Sequence, residues 1–127
     1  MRVPKVLWLV FTCAAAVGFA PVLQAQQQDM ALASRGEKLF ILRSCYGCHT
    51  FGRHLAGPDL TGVTARRSVD WLRKFLTDPE AMVHQDSAAA RLWEANKGYP
   101  IMKIQKLNAP EIEALIQYLQ RQDSRKG

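Results

Sequence analysis

Cysteine is scarce: this 127-residue sequence has three, Cys13, Cys45 and Cys48. Three cysteines cannot make a four-cysteine zinc site, and Cys13 lies in an apolar N-terminal run, away from the other two. Histidine is scarce too, with 3 residues. A zinc set around Cys45 and Cys48 would need His54 or His84 at awkward spacing. No strand pattern of any length is present, and no internal repeat. A redox dithiol wants its C-x-x-C beside a strand–helix–strand unit, and that context is missing. A structural disulfide is the plainest competing reading left for the two cysteines. Acidic residues number 11 against 17 basic ones. The basic residues are scattered and form no patch, which argues against nucleic acid as a partner.

What the sequence does contain begins with an export pattern. Arg2 and Lys5 precede an almost unbroken apolar run from Val6 to Leu23. Leu23-Gln24-Ala25 then leads into the polar Gln26-Gln27-Gln28-Asp29. This reads as a secretory signal over residues 1–25, cleaved after Ala25. Gly18 and Pro21 favour cleavage, whereas Leu23 stands where a small residue is preferred. The alternative is an uncleaved membrane anchor, since the run is long enough for one. With cleavage there is no stable membrane insertion, the location is periplasmic, and the domain is residues 26–127. The mature chain would keep all its acidic residues and stay mildly basic, which allows steering toward acidic partners.

Cys45-Tyr46-Gly47-Cys48-His49 is a C-x-x-C-H pentapeptide. It reads as an attachment site for c-type haem. Two thiols three apart can add to the two porphyrin vinyl groups, forming thioethers. Positions i, i+3 and i+4 share one helical face, so one turn presents both sulfurs and the imidazole of His49. Export supports this reading, because the attachment takes place outside the cytoplasmic membrane. One small domain buries little surface by itself, and a covalent haem would supply much of its core.

The remaining chain reads as helices and loops. Apolar spacing predicts a helix from Met30 to Leu42. Gly36 inside it costs about 1 kcal/mol against alanine, which suggests a close crossing at Gly36 and Phe40. Thr50 to Thr64 carries Gly52, Gly57, Pro58 and Gly62 and reads as loop. Pro58 has no N–H, and its carbonyl can take the proton of one His49 ring nitrogen, leaving the other for iron. Ser68 caps a helix that Asp78-Pro79 ends. Glu80 to Gln85 reads as a connection. Asp86 caps a further helix that Gly98 stops. Asn108 and Glu111 form a capping box for a last helix. The tail from Arg121 reads as charged and frayed. The expectation is an all-α domain of four or five helices around one haem.

From Gly36 to Leu119 this order resembles the class I, mitochondrial-type cytochromes c of bacteria. The matching residues are Gly36 and Phe40, Cys45, Cys48 and His49, Gly57-Pro58-Asp59-Leu60, Trp71 to Leu76 before Asp78-Pro79, and Glu111 to Leu119. The resemblance implies that the terminal helices cross near Gly36 and Phe40, against Leu115 and Tyr118. It implies His49 as the proximal iron ligand, Pro58 as its carbonyl support, and a methionine sulfur from the loop before the last helix. Met102 fits that place, although Met102-Lys103 stands where the family shows Met-Pro. Met82 is the rival, followed by His84, His54 or an open sixth position.

A six-coordinate iron has no vacancy for substrate, so the expected function is periplasmic one-electron transfer, not catalysis. The chain would serve as a soluble carrier or as the electron-transfer subunit of a redox complex. Its donor and acceptor would be redox proteins. Lys97, Lys103 and Lys106 are expected to border the haem edge and steer an acidic partner. An open sixth position would instead indicate a haem enzyme or a gas or peroxide sensor. A haem of mainly structural role would indicate a docking subunit. Trp71, Trp93 and Tyr99 read as core or pocket wall. Arg66 and Arg67 read either as propionate partners or as solvated charge.

Overall fold

The computed structural model describes residues 20–96, 98, 99, 101, 102 and 106–125. The apolar N-terminal run up to residue 19, Lys97, Pro100 and Lys103 lie outside the described residues. Six helices and no strand occur among them: α1 (Ala20–Leu42), α2 (Val63–Arg66), α3 (Val69–Thr77), α4 (Pro79–Gln85), α5 (Ser87–Ala95) and α6 (Ala109–Ser124). None is long and apolar enough to cross a membrane.

The core is the crossing of α1 and α6, the largest contact between elements. A Cβ on Gly36 would stand 1.9 Å from the Ala114 carbonyl oxygen and 2.7 Å from Tyr118 Cβ. Glycine is therefore required by close backbone approach. The resemblance sets Gly36 and Phe40 against Leu115 and Tyr118, and both do meet Tyr118. The backbone actually met is that of Ala114, whose small side chain is fully buried. Phe40 packs on Tyr118 with ring centroids 5.4 Å apart, and Phe51 completes the cluster. Arg121 donates to Glu37 across the crossing and lies over the Tyr118 ring.

Capping residues set the other elements where local chemistry predicted. Ser68 Oγ accepts from Trp71 N–H (3.2 Å), and Asp86 accepts from the N–H groups of Ala88 and Ala89 (2.9 Å each). Asn108 and Glu111 bond reciprocally in a full capping box. Each cap satisfies N–H groups that have no partner within the helix.

Four expectations need correction. The first helix runs back to Ala20, ten residues before Met30, although residues 21–31 are exposed. Glu80 to Gln85 is helix, not connection. Asp78 both ends α3 and caps α4, accepting from Ala81 N–H at 2.9 Å, with Pro79 in the first helical turn. Proline suits that position because its missing N–H would be unpaired there anyway. With the single turn of α2, this raises the count above four or five. The last helix also continues to Ser124 instead of fraying at Arg121. Asp123 anchors it, accepting from Gly62 N–H (2.6 Å), Thr64 N–H (2.9 Å) and Thr64 hydroxyl (2.7 Å). Those bonds tie the end of α6 to the start of α2.

Candidate haem site

The C-x-x-C-H pentapeptide follows α1 as a single 3-10 turn, Cys45–Gly47. Ser44 enters it at φ 57, and the N–H groups of Cys48 and His49 both donate to the Cys45 carbonyl (3.2 and 2.9 Å). The turn is tighter than an α-helical one, yet it places Cys45, Cys48 and His49 on the wall of one cavity. Both cysteines are free thiols, Cys45 half-buried and Cys48 exposed. Burial pushes the Cys45 thiol up, against the opposing pull of its own backbone and of Arg43.

His49 is held from two sides. Its Nδ1 lies 3.0 Å from the Pro58 carbonyl oxygen. A carbonyl only accepts, so Nδ1 carries the proton and Nε2 keeps its lone pair. Burial lowers the His49 pKa; the Pro58 bond raises it and His54 lowers it slightly, so the net direction favours the neutral ring. Against the ring itself sits Gly57, where a Cβ would come within 2.4 Å of His49 Cε1. Gly57 N–H donates to the Cys48 carbonyl at 2.8 Å and fastens this loop to the motif. In the sequence Gly57 reads as a loop residue and as part of the Gly57-Pro58-Asp59-Leu60 run. Its contact with the imidazole was missed.

The cavity has a volume of about 490 Å³. Leu72, Leu107 and Leu115 both line it and belong to the main core. Met102 and Ile101, half-buried, contribute to its wall, as do Trp71, Trp93 and Tyr99. Met82 does not line it; that side chain borders a small surface groove beside Arg73 and Lys74. His54 and His84 are exposed and also outside the lining. No cluster of three or more His, Cys, Asp or Glu able to hold a metal occurs among the described residues.

Arg66 and Arg67 reach the cavity wall. Arg66 donates to the carbonyls of Thr61 and Asp59. Arg67 lies 5.0 Å over the Trp71 ring, which stacks on Phe75 at 5.0 Å and 11°. Trp71 Nε1–H donates to Asp86 at 3.1 Å. The Asp86 carboxyl sits below its usual range, chiefly through the Ala89 amide and Trp71. Stacking on Trp71 thus holds a guanidinium at the lip of an apolar cavity.

These residues fit a covalently held haem. Two thiols at the rim can form the thioethers, one imidazole nitrogen stays unprotonated, and the apolar walls suit a macrocycle. Cations at the lip suit its carboxylates. The family profile described as Cytochrome c matches residues 33–123. The chain belongs to the cytochrome c family.

Solved structures agree. Cytochrome c from Rhodothermus marinus is 27% identical, with a TM-score of 0.72 over 76% of this chain and 81% of that one. A cytochrome c domain from Pseudomonas putida is 35% identical, with a TM-score of 0.60 over 71% of this chain and 89% of that one. An engineered Rhodothermus marinus cytochrome c bound to a carbene intermediate is 26% identical, with a TM-score of 0.66 over 76% and 80%. A comparison with curated protein sequences found no match. Membership in the cytochrome c family carries a covalently bound c-type haem, to which Cys45, Cys48 and His49 correspond, and haem-based electron transfer as the general function.

Proposed function

We propose that this cytochrome c is an exported one-electron carrier, or the electron-transfer subunit of a redox complex, with His49 and Met102 as axial ligands. The observation that carries the reading is the His49–Pro58 pair at a cavity whose wall also includes Met102. When bound, the haem supplies a one-electron couple between ferric and ferrous iron. Cys45 and Cys48 fix it covalently. The Pro58 carbonyl holds the His49 proton on Nδ1 and so directs Nε2 to the iron. The thioether of Met102 is a soft ligand that favours the reduced state, and the apolar walls act in the same direction. With His49 and Met102 both bound to it, the iron would offer no position for substrate, and the site would serve electron transfer.

Cleavage after Ala25 and a periplasmic location complete the proposal. Arg2, Lys5 and the apolar run to Leu23 support export. Cleavage there leaves the packed part of α1 whole, since burial begins at Leu32 and Ala33. Lys106 is exposed at the entry to α6; together with Lys97 and Lys103 it would steer an acidic redox partner. Electron-transfer rates with such a partner should then fall as ionic strength rises. Rates indifferent to salt would remove the steering role.

The ligand set is tested by optical spectra of the purified holoprotein and two variants. Met102→Ala should abolish the methionine-to-iron absorption, lower the reduction potential and open the ferrous iron to carbon monoxide. Met82→Ala should change none of these. Loss of the band in Met82→Ala alone would reassign the ligand. A wild-type protein that is high-spin and binds carbon monoxide at once would replace the carrier reading with an enzyme or sensor.

A further inference from the structure

One polar contact at the exposed edge of the cavity is unexplained by haem attachment. His54 Nε2 lies 2.6 Å from Asn96 Oδ1, across 42 residues of sequence. The Asn96 amide is oriented by a second bond, Nδ2–H donating to the Leu92 carbonyl at 2.6 Å. That turns Oδ1 toward the histidine, so His54 Nε2–H is the donor.

Both ends of this contact are rooted in the site. His54 belongs to the loop that carries Gly57 and Pro58. That loop is secured by Leu55 N–H to the Gly57 carbonyl (3.1 Å) and by Thr50 hydroxyl to the Arg53 carbonyl (2.8 Å). Asn96 is the C-cap of α5 and lines the haem cavity. Its carbonyl accepts from Tyr99 N–H at 3.2 Å, closing a turn in which Gly98 takes φ 108. Ile101 and Met102 stand two and three residues beyond Tyr99 in sequence. Fixing Asn96 therefore fixes the point from which the methionine segment departs.

We propose that the His54–Asn96 pair is a clasp between the histidine loop and the root of the Met102 segment, and that His54 is a positioning residue for the sixth ligand. The proposal rests on Met102 as that ligand. The clasp would lower the frequency with which Met102 leaves the iron. It joins the loop supporting one ligand to the turn launching the other. A single exposed hydrogen bond of ordinary strength changes such an opening equilibrium by roughly 2- to 12-fold.

The test uses ferrous holoprotein as wild type, His54→Ala, His54→Gln and Met102→Ala. Carbon monoxide enters only when the methionine leaves. His54→Ala should take it up roughly 2- to 12-fold faster, and amide exchange at Tyr99 should accelerate by a similar factor. His54→Gln keeps an N–H donor and should restore both. The thermal midpoint of His54→Ala should fall by roughly 2–12 °C, the shift that the same loss implies for a domain of this size. Wild-type uptake and wild-type Tyr99 exchange in His54→Ala would overturn the clasp. If wild type and Met102→Ala take up carbon monoxide equally fast, the ligand assignment has failed. Tyr99 exchange then decides the clasp alone: faster in His54→Ala upholds it, unchanged overturns it.

Discussion

Replacing Gly36 with alanine is expected to lower the thermal midpoint of the holoprotein by roughly 10–20 °C. Two effects of opposite sign compete. Alanine is the better helix former by about 1 kcal/mol, and α1 would gain that. Against it stands the crossing with α6. The new methyl would sit 1.9 Å from the Ala114 carbonyl oxygen, 2.6 Å from its carbon and 2.7 Å from Tyr118 Cβ. None of these atoms is the far end of a flexible side chain, so the conflict cannot be relieved by a rotamer change. The helices must separate, which loosens the Phe40–Tyr118 contact and the Arg121–Glu37 ion pair with it. Overpacking a rigid interior costs about 1–3 kcal/mol and sometimes more. With two backbone atoms in the way, a net loss of about 2–3 kcal/mol is expected after the propensity gain. Each kcal/mol shifts the midpoint of a domain this size by about 4–8 °C. Circular dichroism melting checks it; a midpoint equal to or above wild type would show that the crossing yields more easily than its geometry allows.

Gly36 also marks how far the sequence could be read. A glycine inside an apolar helix signals a crossing, but it does not say which residue is crossed. That depends on the relative register of two helices remote from each other in the chain, and Ala114 emerged only from the packing. The caps were legible because they are local. Ser68, Asp86 and the Asn108–Glu111 box each act on amides close by in the chain. Asp78-Pro79 was read as a stop because the same residues end one helix and start another. The order of α6 through Ser124 was not legible, since it rests on Asp123 reaching Gly62 and Thr64. The same holds for His54, whose partner Asn96 is remote in sequence. The haem motif was plain because its chemistry is packed into one pentapeptide. Its supporting shell was plain only in part.

Gly57 is the instructive case, and it carries the second large effect. It lacks the positive φ that explains a turn glycine; Gly52, Gly62 and Gly98 have one, and Gly57 does not. Its reason is instead the imidazole beside it. A methyl at this position would stand 2.4 Å from His49 Cε1, 2.8 Å from Nδ1 and 2.9 Å from Nε2. The methyl would press on the ring face at Cε1, and relief requires the imidazole to move, carrying Nδ1 from the Pro58 carbonyl it bonds at 3.0 Å. Nor can the loop retreat freely, because Gly57 N–H is tied to the Cys48 carbonyl. Gly57→Ala should therefore leave Cys45 and Cys48 able to attach haem while displacing His49. A conflict of about 2–3 kcal/mol corresponds to a roughly 30- to 140-fold loss of the histidine-bound form relative to displaced ones. The variant is expected to carry covalent haem with a largely high-spin ferric spectrum. Pro58→Ala, which keeps the carbonyl, should remain largely low-spin. Contrasting the two variants separates the space under the ring from the acceptor beside it. A low-spin Gly57→Ala protein with an unchanged potential would mean that His49 does not need the gap that Gly57 leaves.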